Sequence, residues 1–120
     1  MATVRYLVDD VDAAIGFYQA LGFVLKDRWG PPFASVTLGD LELWLAGPAT
    51  SAARPMPDGA KPKPGGWNRL VITVPDLTAT VAQLRQTGCR FRNDIVSGPG
   101  GRQILVEDPS GNPVELFAPG

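Results

Sequence analysis

Apolar and polar residues alternate at the start of the chain, with Val4, Tyr6 and Val8 on one face of an extended segment and Thr3, Arg5 and Leu7 on the other. A period of two predicts a strand with one buried face. The period then changes, because Val11, Ile15, Tyr18 and Leu21 recur at helical spacing. Asp10 or Asp12 can cap this helix, satisfying free N–H groups and favouring the dipole, and Gly22 supplies its stop. Three further strands are expected over 23–28, 33–38 and 41–45. Trp29-Gly30-Pro31-Pro32 and Gly39-Asp40 form the turns between them. The order is strand, helix, strand, strand, strand.

The second half of the chain repeats this pattern. Leu70-Val71-Ile72-Thr73-Val74-Pro75-Asp76-Leu77 aligns with Val4-Arg5-Tyr6-Leu7-Val8-Asp9-Asp10-Val11 at a constant offset of 66 residues. The same offset carries Ala13 to Ala79, Ile15 to Val81, Tyr18 to Leu84 and Gly22 to Gly88. After a short insertion, Leu41-Glu42-Leu43-Trp44 aligns with Val114-Glu115-Leu116-Phe117. Two copies of one supersecondary unit are therefore expected, neither burying its apolar faces alone. The stretch between them is rich in Pro, Gly and Ala, which cannot hold a ladder or a helix. The expected organisation is a first module over 1–47, a linker over 48–66 and a second module over 67–120.

The chain closes on a dense cluster of turn formers, Asp108-Pro109-Ser110-Gly111-Asn112-Pro113, between Ile104-Leu105-Val106 and Val114-Glu115-Leu116-Phe117. This reads as a hairpin. Glu115 stands on the face opposite Val114 and Leu116, and it faces either solvent or a cavity. Gly98-Pro99-Gly100-Gly101-Arg102 lacks the Lys-Ser/Thr ending of a phosphate loop and leads into a strand, so it is expected as a mobile rim loop. Arg102 could reach a ligand from that rim.

Composition narrows the chemistry. The chain has 120 residues, 44% of them apolar and 19% charged, with a net charge of −1. That is enough chain to bury a core without staples, and it gives no reason to expect nucleic acid. No apolar stretch is long enough for a membrane span and no signal-peptide pattern is present, so a cytoplasmic protein is expected. A single cysteine, Cys89, permits no internal disulfide and is expected to be a small buried hydrophobe. There is no histidine. That removes the commonest general base and zinc ligand, leaving acid–base work to carboxylates, Tyr, Lys or Cys89.

Val8-Asp9-Asp10-Val11-Asp12-Ala13-Ala14-Ile15-Gly16-Phe17-Tyr18, Leu21-Gly22-Phe23 and the terminal Asp-Pro-x-Gly-Asn-x-x-Glu-Leu carry a further signal. Together they resemble the vicinal oxygen chelate superfamily of glyoxalase I, bleomycin-resistance proteins, fosfomycin thiol transferases and extradiol dioxygenases. The resemblance implies an α+β fold in which two βαβββ modules form a curled, cup-shaped mixed sheet with helices outside. It also implies a homodimer. Thr3, Arg5, Leu7, Glu42, Trp44, Arg69, Val71, Thr73, Glu115 and Phe117 would then face the cup. Metal enzymes of the family use four positions, which match Thr3, Glu42, Arg69 and Glu115. Arg has no lone pair to donate, so this set argues against a metal.

The expected function is metal-free binding of a small, partly aromatic or anionic molecule, with no cofactor. Arg5, Glu42, Trp44, Arg69, Thr73, Arg102, Glu115 and Phe117 are the candidate ligand-binding residues. Trp44 and Phe117 either offer flat apolar surface to the ligand or fill the cup as core. Trp29 and Trp67, near strand ends, could close its mouth. The alternative is a lyase, isomerase or dioxygenase, metal-independent or dependent on a divalent ion, with Glu115 or Glu42 as general base if burial raised its pKa. Arg69 is expected beside one of these carboxylates, where the pair serves either structure or catalysis.

Overall fold

The computed structural model describes residues 2–120, so Met1, where the first expected module begins, lies outside the described residues. The chain divides into two compact units, Met1–Gly65 and Gly66–Gly120. Unit 1 contains β1 (Val4–Leu7), α1 (Val11–Ala20), β2 (Val24–Trp29), β3 (Phe33–Leu38) and β4 (Leu41–Ala46), followed by a 3-10 turn at Ser51–Ala53. Unit 2 contains β5 (Leu70–Thr73), α2 (Leu77–Gln86), β6 (Val96–Gly98), β7 (Gly101–Glu107) and β8 (Pro113–Pro119). Each unit holds one four-stranded sheet, in the orders β1-β4-β3-β2 and β5-β8-β7-β6. In both, the first and last strands run parallel and the remaining pairs antiparallel. The fold is α+β, built from two βαβββ modules.

The helix starts follow from the offset repeat. Asp10 Oδ1 accepts from Ala13 N at 3.1 Å, and Asp76 Oδ1 accepts from Ala79 N at 3.0 Å. The two caps are therefore the same device used twice. Gly22 and Gly88 follow their helices with φ of 100° and 84°, a region that Gly enters without the Cβ clash other residues meet.

Core chemistry differs between the units. In unit 1 the buried Tyr18 meets Phe17, Phe23 and Tyr6 edge-on, at centroid distances of 5.0, 5.4 and 6.5 Å. Ala34, Val36, Leu43 and Leu45 complete the buried face of that sheet. In unit 2 the α2 residues Leu77, Val81 and Leu84 are buried, as are the sheet residues Ile72, Ile104, Val106, Val114 and Leu116. That core is aliphatic.

The terminal turn is held by its first residue. Asp108, 4% exposed, accepts from the backbone N–H groups of Ser110 and Asn112 and from Asn112 Nδ2, at 2.9, 2.9 and 3.0 Å. The Asp-Pro-x-Gly-Asn motif thus works as a turn clip, with Gly111 at φ 88°.

Two expectations need correction. Gly98–Arg102 is a tight hairpin, in which Gly98 pairs with Gly101 and Ser97 with Arg102, so Arg102 belongs to β7 and not to a rim loop. Gly101 permits the turn, because a Cβ there would lie 2.1 Å from the Ala118 carbonyl oxygen. Cys89 is only half-buried, with its Sγ 3.6 Å from Thr87 Oγ1.

Candidate functional site

In each sheet, strand alternation separates a core face from an open face. Leu43 and Leu45 of β4 are fully buried, so Glu42 and Trp44 stand on the open face of unit 1. Trp44 is the best-tethered side chain there. The Arg5 guanidinium lies 5.0 Å from its ring centroid, Phe33 meets it edge-on at 5.7 Å, and its Nε1 donates to Glu42 Oε2 at 2.7 Å. Lys26 Nζ donates to the other Glu42 oxygen, also at 2.7 Å.

Lys26 reaches Glu42 because β2 is bulged. Leu25 pairs with Val36 and Asp27 with Ser35, which leaves Lys26 as the extra residue and re-aims its side chain. The bond from Lys26, and then that from Trp44, holds the Glu42 carboxyl below the usual carboxylate range; Glu42 in turn raises the Lys26 pKa. A general base at Glu42 would call for the opposite shift.

On the open face of unit 2, Arg69 Nε and Nη2 both donate to Glu115 Oε1, at 3.2 and 3.0 Å. The Glu115 side chain is 10% exposed and that of Arg69 is 30% exposed. Arg69 therefore lies beside Glu115 and supplies the positive charge a buried carboxylate needs. Its Nη1 also reaches the Trp67 carbonyl, at 3.4 Å. Thr73 and Phe117 are register partners farther along the same face, Thr73 exposed and Phe117 half-buried. Arg102 is separated from this set. It pairs with Ala118, in phase with the buried Ile104 and Leu116, so it stands on the opposite face.

Strand register corrects the expected equivalence of Glu42 and Glu115. The 66-residue offset equates Val4 with Leu70. Val4 pairs with Leu43, whereas Leu70 pairs with Val114. The counterpart of Glu115 is therefore Trp44, and the counterpart of Glu42 is Pro113. The antiparallel side agrees, since Thr37–Glu42 occupies the slot of Glu107–Pro113. The cause lies in the turns. The β3–β4 hairpin closes tightly from Leu38 to Leu41, whereas the β7–β8 connection must accommodate the Asp108 clip.

In this register the four positions matched to the family's metal ligands are Thr3, Trp44, Arg69 and Glu115. Indole and guanidinium nitrogens only donate hydrogen bonds, so one carboxylate and one hydroxyl remain as oxygen donors. These residues do not fit a divalent metal.

Three features escaped the sequence reading. Lys26 carries no signal, because a bulge is invisible to periodicity. Ser35, the cross-strand partner of Trp44, is 2% exposed with no hydrogen-bond partner for its Oγ among the described residues. Alternation along β3 could have given its face but not its burial. Arg92 donates to Glu107 at 2.9 Å and to the carbonyls of Gly66 and Gly111 at 2.6 and 2.9 Å, with its guanidinium 4.6 Å from the Trp67 ring centroid. It ties the first residues of unit 2 to the terminal turn. Trp29 and Trp67 are both largely exposed. Two cavities within unit 1 open beside the α1 N-terminus and beneath Lys61–Pro64, and neither is lined by Arg5, Glu42 or Trp44.

The fold has known counterparts. A protein of Mycolicibacterium smegmatis, described as uncharacterized, is 30% identical over 115 residues, covering 92% of this chain and 86% of its own. Lactoylglutathione lyase from Agrobacterium tumefaciens superposes with a TM-score of 0.75 at 18% identity, covering 98% of this chain and 92% of that one, a likeness of fold. TnmS3, an antibiotic binding protein from Streptomyces sp. CB03234, superposes with a TM-score of 0.70 at 26% identity, covering 100% of this chain and 97% of that one. A family model described as Glyoxalase/Bleomycin resistance protein/Dioxygenase superfamily matches residues 1–116. With that match across both βαβββ units, the chain belongs to the glyoxalase/bleomycin resistance protein/dioxygenase superfamily.

Proposed function

We propose that this protein binds a small, partly aromatic or anionic molecule on the open faces of its sheets without using a metal ion. The observation that carries this reading is Trp44. An indole stands where the other unit holds a carboxylate, and it is held ready by Arg5, Phe33 and Glu42. A tethered ring beside a guanidinium suits a flat molecule bearing negative charge. Arg69 and Glu115 add a second polar pair, with the guanidinium in the role a metal cation has in the family's metal enzymes. The 26% identity to an antibiotic binding protein over the whole chain supports the same class of activity. The protein is further expected to associate with a second copy of itself, because each sheet ends in unpaired edge strands. A monomeric mass by light scattering would reject that part.

The test is calorimetry and tryptophan fluorescence with planar aromatic carboxylates, run with EDTA and again with added zinc or nickel. Binding should quench or shift the fluorescence, and its affinity should be the same in both conditions. Trp44→Phe should abolish the fluorescence change and weaken binding by about tenfold. Stoichiometric metal uptake by the unaltered protein, or binding that needs the metal, would reverse the reading and restore a metalloenzyme.

A further inference from the structure

The open face of unit 1 carries a polar group with no use so far. Ser35 Oγ is buried and has no hydrogen-bond partner among the described residues. Its strand neighbours Ala34 and Val36 belong to the core, so Ser35 points the other way, onto the face of Trp44. In register, Arg5, Trp44, Ser35 and Asp27 form one row across β1, β4, β3 and β2. Directly opposed side chains stand about 5 Å apart at Cβ, so the hydroxyl lies next to the indole. Stripping a hydroxyl of water without giving it a partner is unfavourable, and alanine would occupy the same place without that cost.

We propose that Ser35 reads a polar substituent on the ligand: a planar aromatic molecule lies against Trp44, and a hydroxyl or carbonyl borne on its ring bonds to Ser35 Oγ. This rests on the small-molecule binding proposed above and adds which part of the ligand is recognised. A serine hydroxyl both donates and accepts, so either substituent completes it. Reaching the buried oxygen requires the Trp44 ring to shift. That shift gives up the Arg5, Phe33 and Glu42 contacts of the ring for contacts with the ligand, and Lys26 still neutralises Glu42 once the indole bond is released.

The probes are 2-naphthoate and 6-hydroxy-2-naphthoate, which differ by one ring hydroxyl. Both are titrated by calorimetry into the unaltered protein and into Ser35→Ala, and the free proteins are compared by thermal unfolding. The unaltered protein should bind the hydroxylated probe about tenfold more tightly. Ser35→Ala should bind both probes with the affinity of 2-naphthoate, and unliganded it should melt at a higher temperature. Equal binding of the two probes by the unaltered protein overturns the assignment of Ser35 and leaves the binding reading standing. Failure of both probes to bind overturns the two together. A lower melting temperature for free Ser35→Ala also overturns the assignment, because the hydroxyl then has a partner, such as enclosed water, before any ligand arrives.

Discussion

Both units begin with a four-residue strand, an Asp-capped ten-residue helix and a left-handed glycine, yet their open faces hold opposite chemistry. At equivalent places the last strands hold Trp44 in unit 1 and Glu115 in unit 2; Arg5 covers the first from its register partner position, and Arg69, at the position of Thr3 in the repeat, pairs with the second. A guanidinium faces the last strand in each case, meeting a π-cloud in one and a carboxylate in the other. The frame of strand, capped helix and stop glycine has been kept, while both the core behind it and the open side have been filled in two ways. The caps, stop glycines and apolar spacing build the module, and the residues on the open face are not needed for it.

The largest effect should come from the charged side of this comparison. Arg69→Ala leaves the Glu115 carboxylate nine-tenths buried with no counter-charge. Breaking such a pair costs about 3 kcal/mol, at the low end for buried pairs because Arg69 is partly exposed. Urea unfolding should show that loss, and Arg69→Met combined with Glu115→Leu should recover most of it. A neutral single variant would mean that the pair contributes nothing to stability.

The two helix caps should give a smaller and matched effect. Asp10→Ala and Asp76→Ala each lose the same bond to the third residue onward and should each cost about 1 kcal/mol. Unequal costs, read from the same unfolding curves, would show that the apparent symmetry of the units stops at geometry.

The smallest effect belongs to Lys26 and Glu42, which are exposed enough for salt to screen them. The Glu42 pKa is depressed in the folded chain, chiefly by its bond from Lys26. Its contribution is therefore fully present above the ordinary carboxylate range and disappears as pH falls through the lowered value. The Lys26 pKa is raised, so its share is present below the ordinary lysine range and is lost as pH rises through the raised value. Melting temperatures of Glu42→Gln and the unaltered protein should differ near neutrality and converge in acid. A gap that persists below the depressed value would point to the Trp44 bond instead.

Periodicity reveals the repeat because a buried face imposes it directly. The switch from alternation to helical spacing, the capping aspartates and the stop glycines recur at one offset, and both units keep them. The last strands do not obey the same offset. Leu-Glu-Leu-Trp and Val-Glu-Leu-Phe match as strings, but register depends on turn length and hydrogen bonding, so Glu115 stands level with Trp44 and not with Glu42. A slip of two residues keeps every side chain on its face, and for that reason the hydrophobic pattern cannot detect it. Arg102 shows the complementary limit. Gly98-Pro99-Gly100-Gly101 reads as a loop by composition, and only the pairing with Ala118 shows which face the arginine takes. Lys26 and Ser35 depend on a bulge and on burial, neither of which a single sequence displays.

The parallel pairing of first and last strands has a consequence for how the chain folds. Each hairpin, β3–β4 or β7–β8, can zip from its own turn. The first strand of each unit must instead wait about forty residues for its partner, a separation that makes this the slow contact. Each of these slow contacts lies within its own unit. Closure of one unit therefore does not depend on synthesis of the other, and the N-terminal unit can complete its sheet while the rest of the chain is still emerging from the ribosome.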